Sequence, residues 1–486
     1  MRILYHPSGS WTLWIQFQTN SPNTTTFDPE WDVDTSSYNW KMDYDDGTEE
    51  LTSPSFYGWV HTYADGTVKT VSIYYQVWDW NTLNSIEMAS DHIYGDLDLS
   101  DVNIVFGSAF NLRLDNNSEL TDVIFDDSDF GGGKIGTWTI INCDMTDTFD
   151  MSMWTCIKTN AWIQIENNPN LTAIDFPSAL DSGCTGTLYV LDLGRNDLSS
   201  LDISAFTAWA SNAIIRVDAN SSLSSVTFPA SMTGSISYIE FPGCALTDNI
   251  DISFIPDFTG NVSIIFDNNS GITGLTFPSG PFSGSLLRYA VANCNISGDI
   301  DLTDFVNFGA AVNIYVNGNS GITDVIFADS DVVIPGVLQN FYGYDCDLTG
   351  ILDLSMFGDI YTGAGIRVYN NSNLTGIDLM SNSGSTGTLA TFIANDCDLG
   401  YIDFTGIPNC TDRNSCIINL NNNTMTESEV DDILVDLDTI SSGGYTGRFI
   451  YIAGGDSSTA NSPPSATGLT AKTSLEGKGF TVNVNS

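Results

Sequence analysis

Along residues 112 to 423 apolar residues return in pairs two positions apart, and a polar residue follows each pair at a fixed distance. Leu112 and Leu114, Ile163 and Ile165, Ile215 and Val217, Ile264 and Phe266, Ile314 and Val316, Ile366 and Val368, and Ile418 and Leu420 stand five and three residues before Asn117, Asn168, Asn220, Asn269, Asn319, Asn371 and Asn423. Apolar residues at period two that run into Asn predict a short strand followed by a turn. Successive asparagines are 51, 52, 49, 50, 52 and 52 residues apart, so the architecture is a repeat array. Halfway between them a second series occupies Asp91, Cys143, Asn196, Cys244, Cys294, Cys346 and Cys397, followed by segments such as LTDNIDIS, ISGDIDLT and LTGILDLS. Seven and seven positions predict fourteen coils of about 25 residues each.

Each coil turns a corner after its strand and leaves backbone N–H and C=O groups inside that must be paired. A buried Asn side chain can pair them, one per coil, and Cys tolerates the same slot as a small, largely apolar residue with a weak donor. Cys143, Cys244, Cys294, Cys346 and Cys397 are therefore expected as ladder thiols, reduced and structural. Alternate rungs lie about 9 to 10 Å apart, beyond a shared metal ion or a disulfide. Cys156, Cys184, Cys410 and Cys416 fall outside the ladder, and of these Cys410 and Cys416 are close enough in sequence to meet. The unit length and the LxLxxN/C core resemble leucine-rich repeats, which implies a mainly β, leucine-rich-repeat-like solenoid over residues 84–425.

The ends read differently. Residues 1–83 contain Trp40, the turn Asp46-Gly47-Thr48, His61 and Tyr63, then alternating apolar residues. They resemble the polycystin-type (PKD) module, which implies an immunoglobulin-like β-sandwich. Asp43, Asp45 and Asp46 in that turn are candidate calcium ligands, with a hydrogen-bonded turn as the alternative. Over 426–486, Thr426 and Glu429 form a capping box ahead of Val430, Ile433, Leu434 and Leu437 at helical spacing. A strand at 448–452, a short helix from about Thr470 to Glu476 and a strand at 480–484 complete an α/β cap for the open end of the solenoid.

Composition narrows the chemistry. The chain has 486 residues, with 42% hydrophobic and 12% aromatic residues, enough to fold despite 14 basic against 60 acidic side chains and a net charge of −46. That charge opposes nucleic acid and anionic membranes. No run approaches the ~18 apolar residues of a membrane span. Residues 1–20 lack an apolar leader with a cleavage site, which predicts a chain not exported by that route. Three histidines, at 6, 61 and 92, offer neither a metal pair nor a Ser-His-Asp set, and no nucleotide-loop or metalloprotease motif occurs. No cofactor beyond calcium is expected.

The residue between the two apolar strand positions points out of the core. In the two series these residues include Arg113, Gln164, Arg216, Tyr315, Tyr342 and Arg367, a candidate binding stripe on the concave sheet face. A solvated face whose arginines relieve acidic repulsion is the competing reading. The sandwich-like start, the Cys/Asn repeats and the ending GLTAKTSLEGKGFTVNVN resemble repeat proteins of phages of Bacteroidota and of their hosts. This resemblance implies a virion protein, a tail fibre or other appendage, assembled in the host cytoplasm and acting outside the cell. Its N-terminal domain would hold other virion proteins, and the solenoid would contact a host-surface glycan or protein. A bacterial cell-surface or secreted adhesin is the alternative, and a polysaccharide-degrading tail-spike-like enzyme a third.

Overall fold

The computed structural model describes residues 12–19, 26–27, 30–33, 39–44, 49–52, 61–62, 69–76, 83–90, 93–99, 109–125, 134–328, 336–379, 386–400, 402–407, 411–454 and 460–486. The protein is mainly β, 47% strand with two helices, and contains a parallel β-solenoid of about 12 turns. It divides into two compact units, Met1–Leu246 with Phe254–Pro256, and Thr247–Ser253 with Asp257–Ser486.

In the first unit the strands Leu83–Glu87, Phe110–Arg113, Ile135–Ile141, Ile157–Glu166, Leu188–Asp192, Trp209–Arg216 and Ile236–Glu240 pair in parallel, each with the next. In the second unit Phe258–Ile265, Ser285–Ala290, Phe308–Tyr315, Val337–Tyr342, Asp359–Arg367, Thr388–Ile393 and Ile417–Asn419 do the same, continued by Arg448–Ile452 and Phe480–Val484. Seven plus seven strands precede the fourteen expected ladder positions, whereas the solenoid has about 12 turns rather than the fourteen expected. Leu83–Glu87 is bordered by the antiparallel strand Glu30–Val33, and the coil after Ile417–Asn419 returns through a helix. The strand pattern itself holds: all fourteen paired apolar residues, from Leu112 to Leu420, are fully buried.

The ladder has two kinds of rung. Asn319 donates from Nδ2 to the carbonyls of Val291 in the coil before and Val316 in its own, each at 2.8 Å, while its Oδ1 accepts from Ile296 N at 3.0 Å. Asn371 does the same with Gly343, Val368 and Leu348, and Asn423 with Ala394, Leu420 and Leu399. A Cys rung only donates: Cys346 Sγ reaches Val316 O at 3.3 Å and Cys397 Sγ reaches Val368 O at 3.2 Å. A thiol accepts hydrogen bonds poorly. An Asn rung takes an N–H from the coil before it whichever residue stands there, as Asn220 does from Leu198 N at 3.2 Å in the coil of Asn196. In the first unit Asn117, Cys143, Asn168, Asn196, Asn220 and Cys244 make the corresponding bonds. There Asn196 stands in the Cys slot and accepts from Asn168 N at 2.9 Å.

The residue just before each rung sits in the left-handed region, where Asn is favoured over most residues. Asn116, Asn142, Asn167, Asn268, Asn293, Asn370 and Asn422 have φ between 55° and 61°. Their side chains form a second ladder at the surface, as in Asn142 Nδ2 to Asn116 Oδ1 at 2.8 Å and Asn293 Nδ2 to Asn268 Oδ1 at 2.9 Å. Most of the IDLS-type segments after the Cys-series rungs form short strands, each paired with the short strand of the next coil, for example Ser297–Leu302 with Gly321–Phe327. Their Asp closes a turn on the residue two positions on, as Asp251 does with Ser253 N and Asp353 with Ser355 N.

At the start of the chain Thr12–Thr19 pairs antiparallel with Lys69–Gln76 and with Ile93–Asp98, and Asn39–Asp43 pairs with Glu49–Thr52 and Lys69–Gln76. The side chains of Asp43, Asp45 and Asp46, with most of the turn that carries them, lie outside the described residues, as do Asp91 and Cys410. At the other end the helix Glu427–Ile440 begins in the expected capping box, with Thr426 and Glu429 bonded reciprocally. The second helix runs Ala466–Gly477, four residues longer at its start than expected from Thr470. Ser465 caps it and is itself held by Asp431 of the first helix, which overrides the weak helix propensity of Thr467 and Gly468. No helix among the described residues is long and apolar enough to cross a membrane.

Outside the ladder one pair of cysteines is oxidised. Cys156 and Cys184 form a disulfide, with Cα atoms 5.3 Å apart. They lie 28 residues apart, one coil with its insertion, so parallel stacking sets one above the other. Cys143, Cys244, Cys294, Cys346, Cys397 and Cys416 remain free thiols. Burial pushes Cys143, Cys397 and Cys416 up to about 12 and Cys244, Cys294 and Cys346 to about 11.

Asn319→Ala removes three bonds from buried backbone groups and should cost about 3 kcal/mol or more, whereas Cys294→Ala should cost about 1 to 3 kcal/mol. Urea unfolding of the two variants checks this, and equal losses would contradict the division of labour between the rungs. Dithiothreitol should lower the stability of the wild type by about 3 kcal/mol, the usual worth of a loop this size. A Cys156→Ser, Cys184→Ser double variant should be insensitive to it.

Candidate functional site

The outward stripe is assembled in register, because each of its residues stands four positions before a ladder residue. In the first unit the neighbours run Glu87, Arg113, Thr139, Gln164, Asp192, Arg216, Glu240. In the second they run Ile265, Ala290, Tyr315, Tyr342, Arg367, Ile393, Asn419.

The two faces differ in what their arginines do. Arg216 lies between two carboxylates, with Nη1 3.2 Å from Asp192 Oδ2 and Nε 3.2 Å from Glu240 Oε2. Burial works against its charge, but Glu240 and Asp192 more than offset this and raise its pKa. Burial raises Asp192 in spite of Arg216 beside it. Arg113 holds Asp115 at 3.0 Å, Arg195 holds Glu166 at 3.1 Å, and Gln164 bridges Trp162 and Glu166. On this face the arginines neutralise acidic neighbours. Arg113, Gln164 and Arg216 are thus committed to the protein itself.

The second unit presents a different surface. Tyr315 and Tyr342 have ring centroids 5.1 Å apart, Tyr342 and Tyr344 6.4 Å, and Tyr344 stacks on Tyr369 at 4.6 Å with an interplanar angle of 5°. Arg367 lies over the Tyr342 ring, 4.8 Å from its centroid, and Arg288 over Tyr315 at 5.4 Å. Asn313 and Asn340, on neighbouring rungs of the adjoining row, hold the phenols. Tyr315 Oη donates to Asn313 Oδ1 at 3.1 Å, Tyr342 Oη to Asn340 Oδ1 at 3.2 Å, and Asn340 Nδ2 to Asn313 Oδ1 at 2.7 Å. The next residue of that row is Gly365, where a Cβ would sit 3.3 Å from Tyr342 Cε1 and 2.9 Å from Asn340 Oδ1. Glycine there leaves the ring and the amide their places. Burial, then the neighbouring Tyr342, raises the Tyr315 hydroxyl above its ordinary value, so it stays a donor.

The sequence pattern placed Tyr315, Tyr342 and Arg367 but missed Arg288, Asn313, Asn340, Tyr344 and Tyr369. All lie two residues from a stripe position, and the same period of two would have found them.

Among the described residues no group of three or more His, Cys, Asp or Glu side chains is placed to hold a metal ion. Burial raises Asp192, Asp267 and Asp324 above the ordinary carboxylate value, and burial, then Asp96, Asp150 and Asp147, raises Asp122 to about 6. Compared with protein-family models, with curated proteins and with solved structures, the chain matches none.

Ionised Asp122 is disfavoured in the fold. Its cost is absent below the ordinary value of 3.8, grows as pH rises to about 6, and is constant above. Asp122→Asn should therefore raise the melting temperature at neutral pH, and the gain should fade as pH falls towards ~4. Melting curves across that range check it, and a gain independent of pH would show that the charge is not the cause.

Proposed function

We propose that this chain is a recognition protein rather than an enzyme. It is a leucine-rich-repeat-like solenoid in a phage virion appendage, and it touches host-surface glycan through the tyrosine and arginine face of its second unit. The observation that carries the reading is that face: four tyrosines in contact, two of them under guanidinium groups and held by an amide row. Aromatic rings stack on the C–H faces of sugars, and oriented amides and phenols bond their hydroxyls. Rings fixed before binding lose little entropy when a ligand arrives. The virion setting rests on the resemblance of the repeats and termini to phage proteins. In it the PKD-like N-terminal module attaches to other virion proteins, and the strand-and-helix units close the C-terminal end of the core.

A bacterial surface adhesin is the second reading, and the disulfide Cys156–Cys184 favours it, since such bonds persist in oxidising surroundings. Both readings place the same face against a glycan.

The test is retention of the purified chain on a glycan array and on host-surface polysaccharide. Binding is expected without release of reducing ends or unsaturated sugar, and Tyr342→Ala should weaken it while the fold persists. Sustained sugar release would turn the reading to an enzyme. Antibody to the chain should label appendages of phage particles, whereas label on the envelope of uninfected cells would select the adhesin.

A further inference from the structure

Resting on the glycan reading above, we infer that the face of the second unit selects an acidic polysaccharide, one whose sugars carry carboxylates, and lays it along the stack of rungs. The argument begins with charge. In a chain of net charge −46 carboxylates are at hand to pair an arginine, although among the described residues Arg413 and Arg448 bond backbone carbonyls instead. Arg113, Arg195 and Arg216 on the other face are each ion-paired. Arg367 makes no ion pair among the described residues, and Arg288 has one carboxylate, Asp267, at 3.5 Å. The Nε atoms of both are buried and out of a ligand's reach, which leaves the Nη ends, whose parallel N–H groups match the two oxygens of a carboxylate.

Spacing supplies the second step. Arg288 and Arg367 lie at the ends of four consecutive rungs, with Asn313 and Tyr315, then Asn340 and Tyr342, on the two between them. Three strand spacings of ~4.8 Å, with the two-residue offset between their rows, put the ends about 16 Å apart. One rung is about the length of one pyranose in an extended chain, so successive sugars meet successive rungs. A tetrasaccharide then reaches from one guanidinium to the other, with tyrosines and amides beneath its middle.

The third step separates glycan from protein. Protein partners are gripped by apolar anchors in a desolvated centre. Here amides alternate with the rings, and the phenols are half-exposed and already bonded to Asn313 and Asn340. Such a surface bonds hydroxyls throughout and has two places for negative charge.

The experiment uses the full chain and a panel of oligosaccharides of uronic and sialic acids, each beside a twin in which the carboxyl groups have been reduced to alcohols. Sulfated and neutral chains complete the panel. The acids are expected to bind at least about tenfold tighter than their reduced twins, with rising salt eroding the difference. Arg367→Gln should lower affinity for the acids about tenfold and leave the reduced twins unchanged. Arg288→Gln should act in the same sense, and Arg113→Gln, on the other face, should change nothing. Melting curves identify any variant that fails to fold, and the carboxyl-reduced twins test the wild type without any substitution. Equal binding of acids and twins, or preference for sulfated or neutral chains, overturns the acidic inference while the glycan reading stands. Binding of no glycan at all overturns both.

Discussion

The side chain that turns each corner is the constraint on which the rest depends. A coil that leaves its strand and reverses inside a protein strands carbonyls and N–H groups away from water, and each unpaired group costs about 1 to 3 kcal/mol. Asn319, Asn371 and Asn423 each settle three such groups, two carbonyls and one N–H, and they do so across the boundary between coils. Stacking is therefore built into the corner. A coil cannot satisfy its own backbone without the one beside it. The thiol rungs do less: Cys346 and Cys397 each donate to a carbonyl of the coil before, and rungs of the two kinds alternate through most of the array.

Because the corner fixes the phase of every strand, it also fixes what the outer face displays. Four residues before each rung the side chain points outward, and parallel pairing lines these positions up. What then distinguishes the faces is acid placed two residues further on. Asp115, Glu166 and Asp218 in the first unit occupy that row and engage Arg113 and Arg195. In the second unit Asp267 keeps a place in that row and engages Arg288, but Tyr344 and Tyr369 occupy it on later rungs, and Arg367 rests on a ring. The same scaffold thus carries a self-neutralised surface in one unit and a receptive one in the other, through substitutions that leave the core untouched.

The acidic composition takes on a physical meaning in this setting. Asp and Asn close turns at fixed places, as Asp251 and Asp353 do, and share bonds along the surface ladder, as Asn370 does with Asp345. Much of the charge is a by-product of turn chemistry repeated coil after coil. Asp122 marks where it accumulates at a cost, since burial and neighbouring carboxylates push its pKa to about 6.

The sequence by itself determined the strands, the ladder and the stripe, because all three are local: a period of two and an offset of four from Asn or Cys survive whatever the loops do. Asn117 to Asn423 were legible for that reason, and so was the capping box of Thr426 and Glu429. The tertiary structure decided what depends on distance through space. The Cys156–Cys184 bond follows from how an insertion stacks on the coil below. Asn461, which accepts from Asn423 N at 2.9 Å and extends the ladder, stands 38 residues on and breaks the period. The early start of the second helix needed Asp431 from the first. Which arginines are free was decided by the carboxylates on neighbouring rungs, since ion pairing falls off within a few ångströms and no spacing along one strand reveals it.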